Sequence, residues 1–413
     1  MSKKLLQINV TANLGSTGKI TEQINRIAQR LGWETFIAYG RNCNPSQSCL
    51  ILVGNTFQVY EHYVERVLFD NDGLASRVAT HKLIEKVKMI RPDIIHLHNI
   101  HDHWLNYRIL FKYLNTLDVP IIWTQHDCWS FTGDCGHFSQ LACRQWISGC
   151  SKSCPYRDGQ IMRKFINKAD NHYKLKKELF TAIKNLTLVP VSHWLEGVLR
   201  QSFLKDKPIK TILNGVDVNV FKPIDDVQGT LRKYGLEDVR YVVGVATAWS
   251  ERKGFKVYCQ LASRMPEGVK IVLVGLNEKQ QQEAELFGII GIPRTENVGE
   301  LVALYNGASI VMNLSYEETF GLTTVEGFAC GTPSIVYNAT ASPELVTPET
   351  GIVCEPGDIE GVTEAVKELL SKEKPVEACR KRAVEYYDKN DRYQEYVELY
   401  EELVKGVELR EHE

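Results

Sequence analysis

Short apolar runs separated by helix-length stretches constrain this chain more than any other feature. "LLQINV" (5–10) gives way to a glycine-bearing turn, after which Ile20, Ile24, Ile27 and Leu31 recur at helical spacing before "TFIAYG" (35–40) resumes as a strand. The alternation continues through "DIIHLHN" (93–99), "PIIWTQHD" (120–127) and "LTLVPVS" (186–192). Strands of this kind are covered on both faces, as in a parallel sheet flanked by helices. A second series, "YVVGVAT", "KIVLVG", "ASIVMNL" and "TPSIVYN", follows "TILNGVDVNVFKP" (211–223), whose Gly, Asn, Asp and Pro read as a turn-rich linker. The expected class is α/β, with two Rossmann-like, doubly wound parallel-sheet domains that bind ligands at the carboxyl ends of their strands, in the cleft between them. The predicted division is 1–213, 214–385 and a terminal helix over 386–413, where Tyr386, Tyr387, Tyr393, Tyr396, Tyr400 and Leu403 are spaced helically.

A length of 413 residues fits two domains of about 200 residues each. Hydrophobic content of 44% and charged content of 24% are ordinary soluble values, and no run approaches the apolar length of a membrane span. "MSKKLLQINV" lacks the apolar stretch and cleavage site of a signal peptide, so the expected location is cytoplasmic. A net charge of −2 gives no global pull toward nucleic acid.

The most informative segment is "SYEETFGLTTVEGFACGTPSIVYNATASPEL" (315–345), in which Glu318 and Glu326 flank a strand end, a turn and a helix start. A helix N-terminus favours phosphate through its free amides and dipole, and a carboxylate in the first turn can accept from sugar hydroxyls. Two glutamates at a helix start, taken alone, are also ordinary capping and surface charge. "NLGSTGKIT" (13–21) is not a nucleotide-triphosphate loop, because Asn13 stands at the first glycine and Ile20 at the magnesium-binding Ser/Thr. It reads as a tight turn in which Gly15 and Gly18 let backbone approach a diphosphate or an acceptor, or as a plain strand-to-helix turn. "HLHNIHDHW" (96–104) tempts a metal reading, but strand alternation separates His96 and His98 from His101 and His103 in the loop. A cleft-lining or structural role is favoured over metal there, with His98 and Asn99 expected to touch ligand.

Taken together, "GSTGKI", "PDIIHLHN", "TQHD", "NGVD", "RKG" and "EETFGLTTVEGFACGTPSIV" resemble the retaining glycosyltransferases of family 4, which have the GT-B fold, over nearly the whole chain. The resemblance implies Glu318 at the donor sugar, Glu326 at the ribose, and the backbone amides of Phe320, Gly321, Leu322 and Thr323 at the sugar and diphosphate. It implies Lys253 beside the leaving diphosphate. Many members carry an arginine six residues earlier; Thr247 stands there, and Arg252 is the expected replacement because a guanidinium suits bidentate phosphate binding. It places His126 against the donor sugar near the anomeric carbon, a packing histidine being the alternative. The expected catalytic set is thus His126, Arg252, Lys253 and Glu318, with no catalytic metal. The implied partners are a nucleotide-sugar donor, UDP-linked by preference, and a glycan or polyprenyl-diphosphate-linked acceptor, with no nucleic acid. A sugar-nucleotide epimerase of the same shape and a catalytically idle binding protein are the rivals.

Two segments remain. Cys135, Cys143, Cys150 and Cys154 have spacings x7, x6 and x3, unlike paired zinc knuckles, yet four thiolates close together could close a structural zinc site in a loop with too little apolar content for its own core. Free thiols and disulfides are the alternatives, the latter disfavoured in a reducing compartment. Similar loops after "HDCW" occur in a bacterial subgroup of family 4 that builds surface polysaccharides. From Lys152 to Lys184, nine Lys/Arg against three Asp/Glu interleave with Ile161, Met162, Phe165, Ile166, Leu175, Leu179 and Phe180, which suits either a solvated face or peripheral docking on an anionic membrane.

Overall fold

The computed structural model describes residues 2–154 and 166–411. The chain divides into two compact units, one comprising Met1–Ile212 with Tyr393–Glu413 and the other Leu213–Arg392. The first holds a six-stranded parallel sheet of β1 (Lys4–Asn9), β2 (Glu34–Tyr39), β3 (Cys49–Leu52), β4 (Ile94–Leu97), β5 (Ile121–Gln125) and β6 (Leu186–Pro190), in the order β3-β2-β1-β4-β5-β6. The second holds β7 (Arg240–Val245), β8 (Val269–Val274), β9 (Ile290–Ile292), β10 (Ile310–Asn313), β11 (Ser334–Tyr337) and β12 (Gly351–Cys354), in the order β12-β11-β10-β7-β8-β9. Both orders are those of a doubly wound sheet whose direction reverses next to its first strand. The reversal leaves a crevice at the carboxyl ends of β1 and β4 in one unit and of β7 and β10 in the other.

Burial explains the apolar runs. β4, β5, β6, β10 and β11 are buried at every position. In the first unit Leu5, Ile94, Ile122 and Val189 pack with Ile20, Ile24 and Ala28 of the helix Gly15–Arg30. Tyr393, Tyr396, Val397, Tyr400 and Val404 of the last helix complete that core. A short apolar strand cannot bury both faces alone, so the last helix is part of the first unit's fold.

The terminal region differs from a single helix over 386–413. Val376–Tyr387 and Lys389–Glu411 are separate helices, and the second unit runs on to Arg392, past the expected end at 385. Asp388 breaks the helical path because the "NGVD" segment pairs with it. Val216 donates to Tyr387 O at 2.7 Å, Lys389 donates to Val216 O at 3.0 Å, and Lys389 is ion-paired with Asp217. Gly215 is required for that approach, since a Cβ there would stand 2.4 Å from Lys389 Cα. Arg380 adds bonds to Val218 O and Phe221 O, so the segment expected as a loose linker is docked onto its own unit.

Part of the basic amphipathic pattern is interior. In the helix Ala169–Ala182, Lys176, Leu179 and Phe180 are buried. Ile161, Met162 and Phe165 lie outside the described residues. Among the described residues no helix is long and apolar enough to cross a membrane.

Candidate active site

In the second unit the sheet reversal brings the turn after β7 beside the segment after β10. Lys253 and Glu318 meet there, with Nζ 2.5 Å from Oε1. Gly254 makes this possible: its φ is +78°, and a Cβ would sit 2.4 Å from Leu314 O at the end of β10. Thr340 pins the glutamate from behind, accepting from Glu318 N at 2.8 Å and donating to Glu318 O at 2.7 Å. Burial alone would raise the Glu318 carboxyl, but the Lys253 ammonium overrides it and holds the group below its ordinary value. Arg252 is engaged on the same segment, donating to Glu317 O at 3.0 Å. Four further guanidinium N–H groups belong to that side chain, so this bond does not exhaust its donors.

Gly321, at φ +105°, turns the chain into the helix Leu322–Ala329. Of the four amides that the resemblance places at the sugar and diphosphate, those of Leu322 and Thr323 fall in the first turn of this helix, and those of Phe320 and Gly321 precede it. Phe320 is buried, its ring 5.8 Å from that of Tyr387, so its side chain anchors the turn. Glu326 lies one turn into the helix, where the buried Tyr305 hydroxyl donates to its Oε2 at 2.9 Å. No sequence pattern singled out Tyr305, since a tyrosine in an apolar helix reads as packing.

In the first unit the glycine turn splits in role. Gly15 has φ +69° and open space where a Cβ would be, whereas a Cβ at Gly18 would stand 2.7 Å from Thr11 Oγ1. Gly18 therefore serves the contact of helix with strand loop, and only Gly15 leaves room for an approaching group. Asn99 at the end of β4 donates its backbone N–H to Asn9 Oδ1 at 3.2 Å. His98, expected to touch ligand, is 1% exposed, with Nε2 2.6 Å from Gln7 Oε1 and Nδ1 3.0 Å from His126 Nε2. His96 is fully buried between the Tyr400 hydroxyl at 2.6 Å and Thr124 Oγ1 at 2.7 Å, which assigns it to the core.

His126 follows β5 and is half-buried beside a recess of about 10 Å³, room for a single water, shared with Asn99, His101, Asp127 and Trp129. Burial lowers the His126 imidazole to about 4. Asp127 accepts from Trp129 N at 2.8 Å and pairs with His101, whose Nε2 is 2.8 Å from Oδ2. Burial opposes charge on His101, but Asp127 and Asp102 outweigh it and raise the ring to about 10. A raised histidine stabilises the fold fully below its unfolded value near 6.5, and that contribution fades as pH rises toward 10. His101→Asn is therefore expected to destabilise by about 1–3 kcal/mol near neutrality. Urea unfolding of both proteins at pH 6 and pH 10 should show that difference shrinking at the higher pH; an unchanged difference would refute the ion pair.

The cysteine loop departs from the expectation in its apolar content. Among the described residues no two cysteines are joined in a disulfide. Among the described residues, the one group of metal-capable atoms lying within 4.8 Å of one another is Asp70, Asp134 and His172. Cys150 and Cys154 both bear on the Cys135 thiol, and Cys143 and Cys154 on that of Cys150, so the four cysteines share one neighbourhood. Burial raises the Cys135 thiol and pushes Cys150 up to about 11. The loop has its own core, because Phe131, Phe138 and Trp146 are buried with ring centroids 4.9 to 5.6 Å apart around Trp146. Beneath it the fully buried Lys176 donates to Trp129 O at 2.9 Å, Thr132 O at 3.3 Å and Gly133 O at 2.9 Å, and lies 3.5 Å over the Trp129 ring. Asp134 accepts from His172 at 2.7 Å alongside. Metal analysis of the purified protein tests the proposed structural zinc: one equivalent, lost on Cys→Ser substitution, is expected, and well below one equivalent would remove the proposal.

Residues 23–220 match the family described as Glycosyltransferase Family 4, and residues 229–386 match Glycosyl transferases group 1. These matches support a family 4 glycosyltransferase. The N-acetyl-alpha-D-glucosaminyl L-malate synthase of Bacillus anthracis is 26% identical over 227 residues, 52% of this chain and 58% of that protein. A putative colanic acid biosynthesis glycosyl transferase, WcaC of Escherichia coli, is 24% identical over 248 residues, 54% of this chain and 59% of that protein. The chain thus spans under three fifths of the length of either relative. Among solved structures, sucrose-phosphate synthase from Thermosynechococcus elongatus superposes with TM-score 0.73 at 16% identity, covering 98% of this chain and all of that one. HepE of Anabaena, in complex with UDP, gives TM-score 0.65 at 15% identity, covering 97% of this chain and all of that one. The fold is GT-B.

Proposed function

We propose that the protein is a retaining glycosyltransferase that moves a hexose or N-acetylhexosamine from a UDP-sugar to a glycan or lipid-linked oligosaccharide in surface polysaccharide biosynthesis. The observation that carries this reading is the Lys253–Glu318 pair at the reversal of the second sheet, next to the helix start at Gly321 and Leu322. An ammonium has three N–H donors, so Lys253 can hold Glu318 and still meet a diphosphate oxygen. Glu318, kept ionised, accepts from sugar hydroxyls rather than protonating the leaving group. Glu326, oriented by Tyr305, accepts from the ribose hydroxyls. Arg252 adds a second cation as negative charge builds on the departing phosphate.

In the same-face attack this site suits, the departing phosphate oxygen takes the acceptor's proton as the new glycosidic bond forms, so no separate strong base is needed. His126 meets the donor sugar in this reading. HepE, solved with UDP, supports a uridine donor, and the colanic acid relative supports a polysaccharide acceptor. Turnover of a panel of UDP-, GDP- and ADP-sugars with glycan-lipid acceptors tests it. UDP-sugars should be consumed fastest; preference for a guanosine or adenosine donor would overturn the base assignment.

A further inference from the structure

We infer that Gln7, acting through His98, sets which ring nitrogen of His126 carries the proton. The role of His126 at the donor sugar rests on the reading above; the relay itself does not.

The derivation starts from a polar residue in an apolar strand. Gln7 lies in β1, is fully buried, and stands in register with His96 of β4. Its Nε2 is 2.8 Å from Thr21 O and 2.5 Å from Asn25 Oδ1, both in the helix Gly15–Arg30. A backbone carbonyl only accepts, so the atom facing Thr21 must be the amide nitrogen. Asn25 follows suit, turning Oδ1 toward Gln7 and donating from Nδ2 to Ser48 Oγ at 2.8 Å, since a hydroxyl accepts as readily as it donates. Flipping the Gln7 amide would set oxygen against the Thr21 carbonyl in a buried site, where an unmade hydrogen bond costs most. Gln7 Oε1 therefore faces His98.

Each further step is then forced. Oε1 accepts at 2.6 Å, so His98 carries its proton on Nε2. His98 is neutral because burial, with His96 and His126 close by, lowers its imidazole well below the ordinary value. A neutral ring with a proton on Nε2 has an acceptor at Nδ1, and the group 3.0 Å from that Nδ1 is His126 Nε2. His126 therefore donates from Nε2, and its own Nδ1 is the acceptor. The two rings are nearly parallel, 17° apart with centroids 5.3 Å apart. The groups facing the relay are His96, whose ring centroid is 3.9 Å from that of His98, together with Asp127 and His101.

The consequence is a chemical specificity. A neutral His126 with its proton on Nε2 has no charge to give a diphosphate, which in the proposed reading leaves phosphate binding to Lys253 and Arg252. Gln7 and His98 are positioning residues, and the helix after the glycine turn anchors them.

The test is histidine-selective ¹⁵N NMR on the full-length protein without donor, with His98 and His126 assigned from the spectra of His98→Asn and His126→Asn. Both rings should be neutral with the proton on Nε2 from about pH 8 to about pH 5.5. A proton on Nδ1 of His126, or an imidazolium at either ring at neutral pH, would overturn the relay. In a folded Gln7→Met protein the His126 signals should shift toward a tautomer mixture, and kcat/KM for the donor should fall about 10-fold, the value of one hydrogen bond. Unchanged tautomers in that variant would also overturn it. The wild-type spectrum decides even if Gln7→Met does not fold. It is read without substrate, so loss of the donor reading and loss of the relay remain distinguishable.

Discussion

Lys253→Ala is expected to lower turnover about 10²–10³-fold, the range seen when a group stabilising transition-state charge is removed. Lys253 is the side chain that meets Glu318 directly, and it sits where the sheet reversal opens a site at the strand ends. Charge on the departing diphosphate peaks in the transition state, so removing the cation should act on kcat more than on donor binding. The substitution also strips Glu318 of the ammonium that holds its carboxyl below the ordinary value. Burial, the opposing influence, would then dominate and raise that carboxyl. The activity of Lys253→Ala should accordingly change with pH in the acid range more than that of the wild type. Lys253→Arg, which keeps the charge but not the compact ammonium, should retain more activity than the alanine. Steady-state kinetics on all three proteins, with circular dichroism to confirm folding, checks this; near-normal turnover in the alanine variant would end the assignment.

Lys176→Met is expected to destabilise the first unit by about 3 kcal/mol or more, because three buried carbonyls lose their donor and the Trp129 ring loses its cation. Methionine keeps most of the volume, so the loss is polar rather than a cavity. Burial lowers the Lys176 ammonium to about 8, so it is charged at neutral pH and donates to all three oxygens. Denaturant unfolding should register the change, and a loss below about 1 kcal/mol would show that the loop does not depend on this lysine.

The alternation of apolar runs and helical spacings made both sheets legible, because strands buried on two faces tolerate few polar residues. The exceptions carried information that the apolar pattern hides. Gln7 sits inside "LLQINV" as an apparent flaw, yet its amide orients His98. Lys176 sits in a run of lysines and reads as one more solvated charge, while the fold buries it completely. The break at Asp388 was invisible because tyrosine spacing continues through it; its cause is pairing with Val216, far away in sequence. Lys253, Glu318 and the turn at Gly321 were singled out by the family resemblance of their motifs, since two glutamates near a helix start are by themselves ordinary capping. The partners Thr340 and Tyr305 were not, since they come from other elements and carry no local pattern. Phe131, Phe138 and Trp146 give the cysteine loop an apolar centre that its polar composition concealed.

The most direct test of the central claim is nucleotide release from a UDP-sugar measured with and without a glycan-lipid acceptor, with the anomeric configuration of the product read by NMR. The account predicts release that depends on acceptor and a product that retains the donor's configuration. Conversion of the donor without acceptor, inversion at the anomeric carbon, or donor binding with no turnover would contradict it.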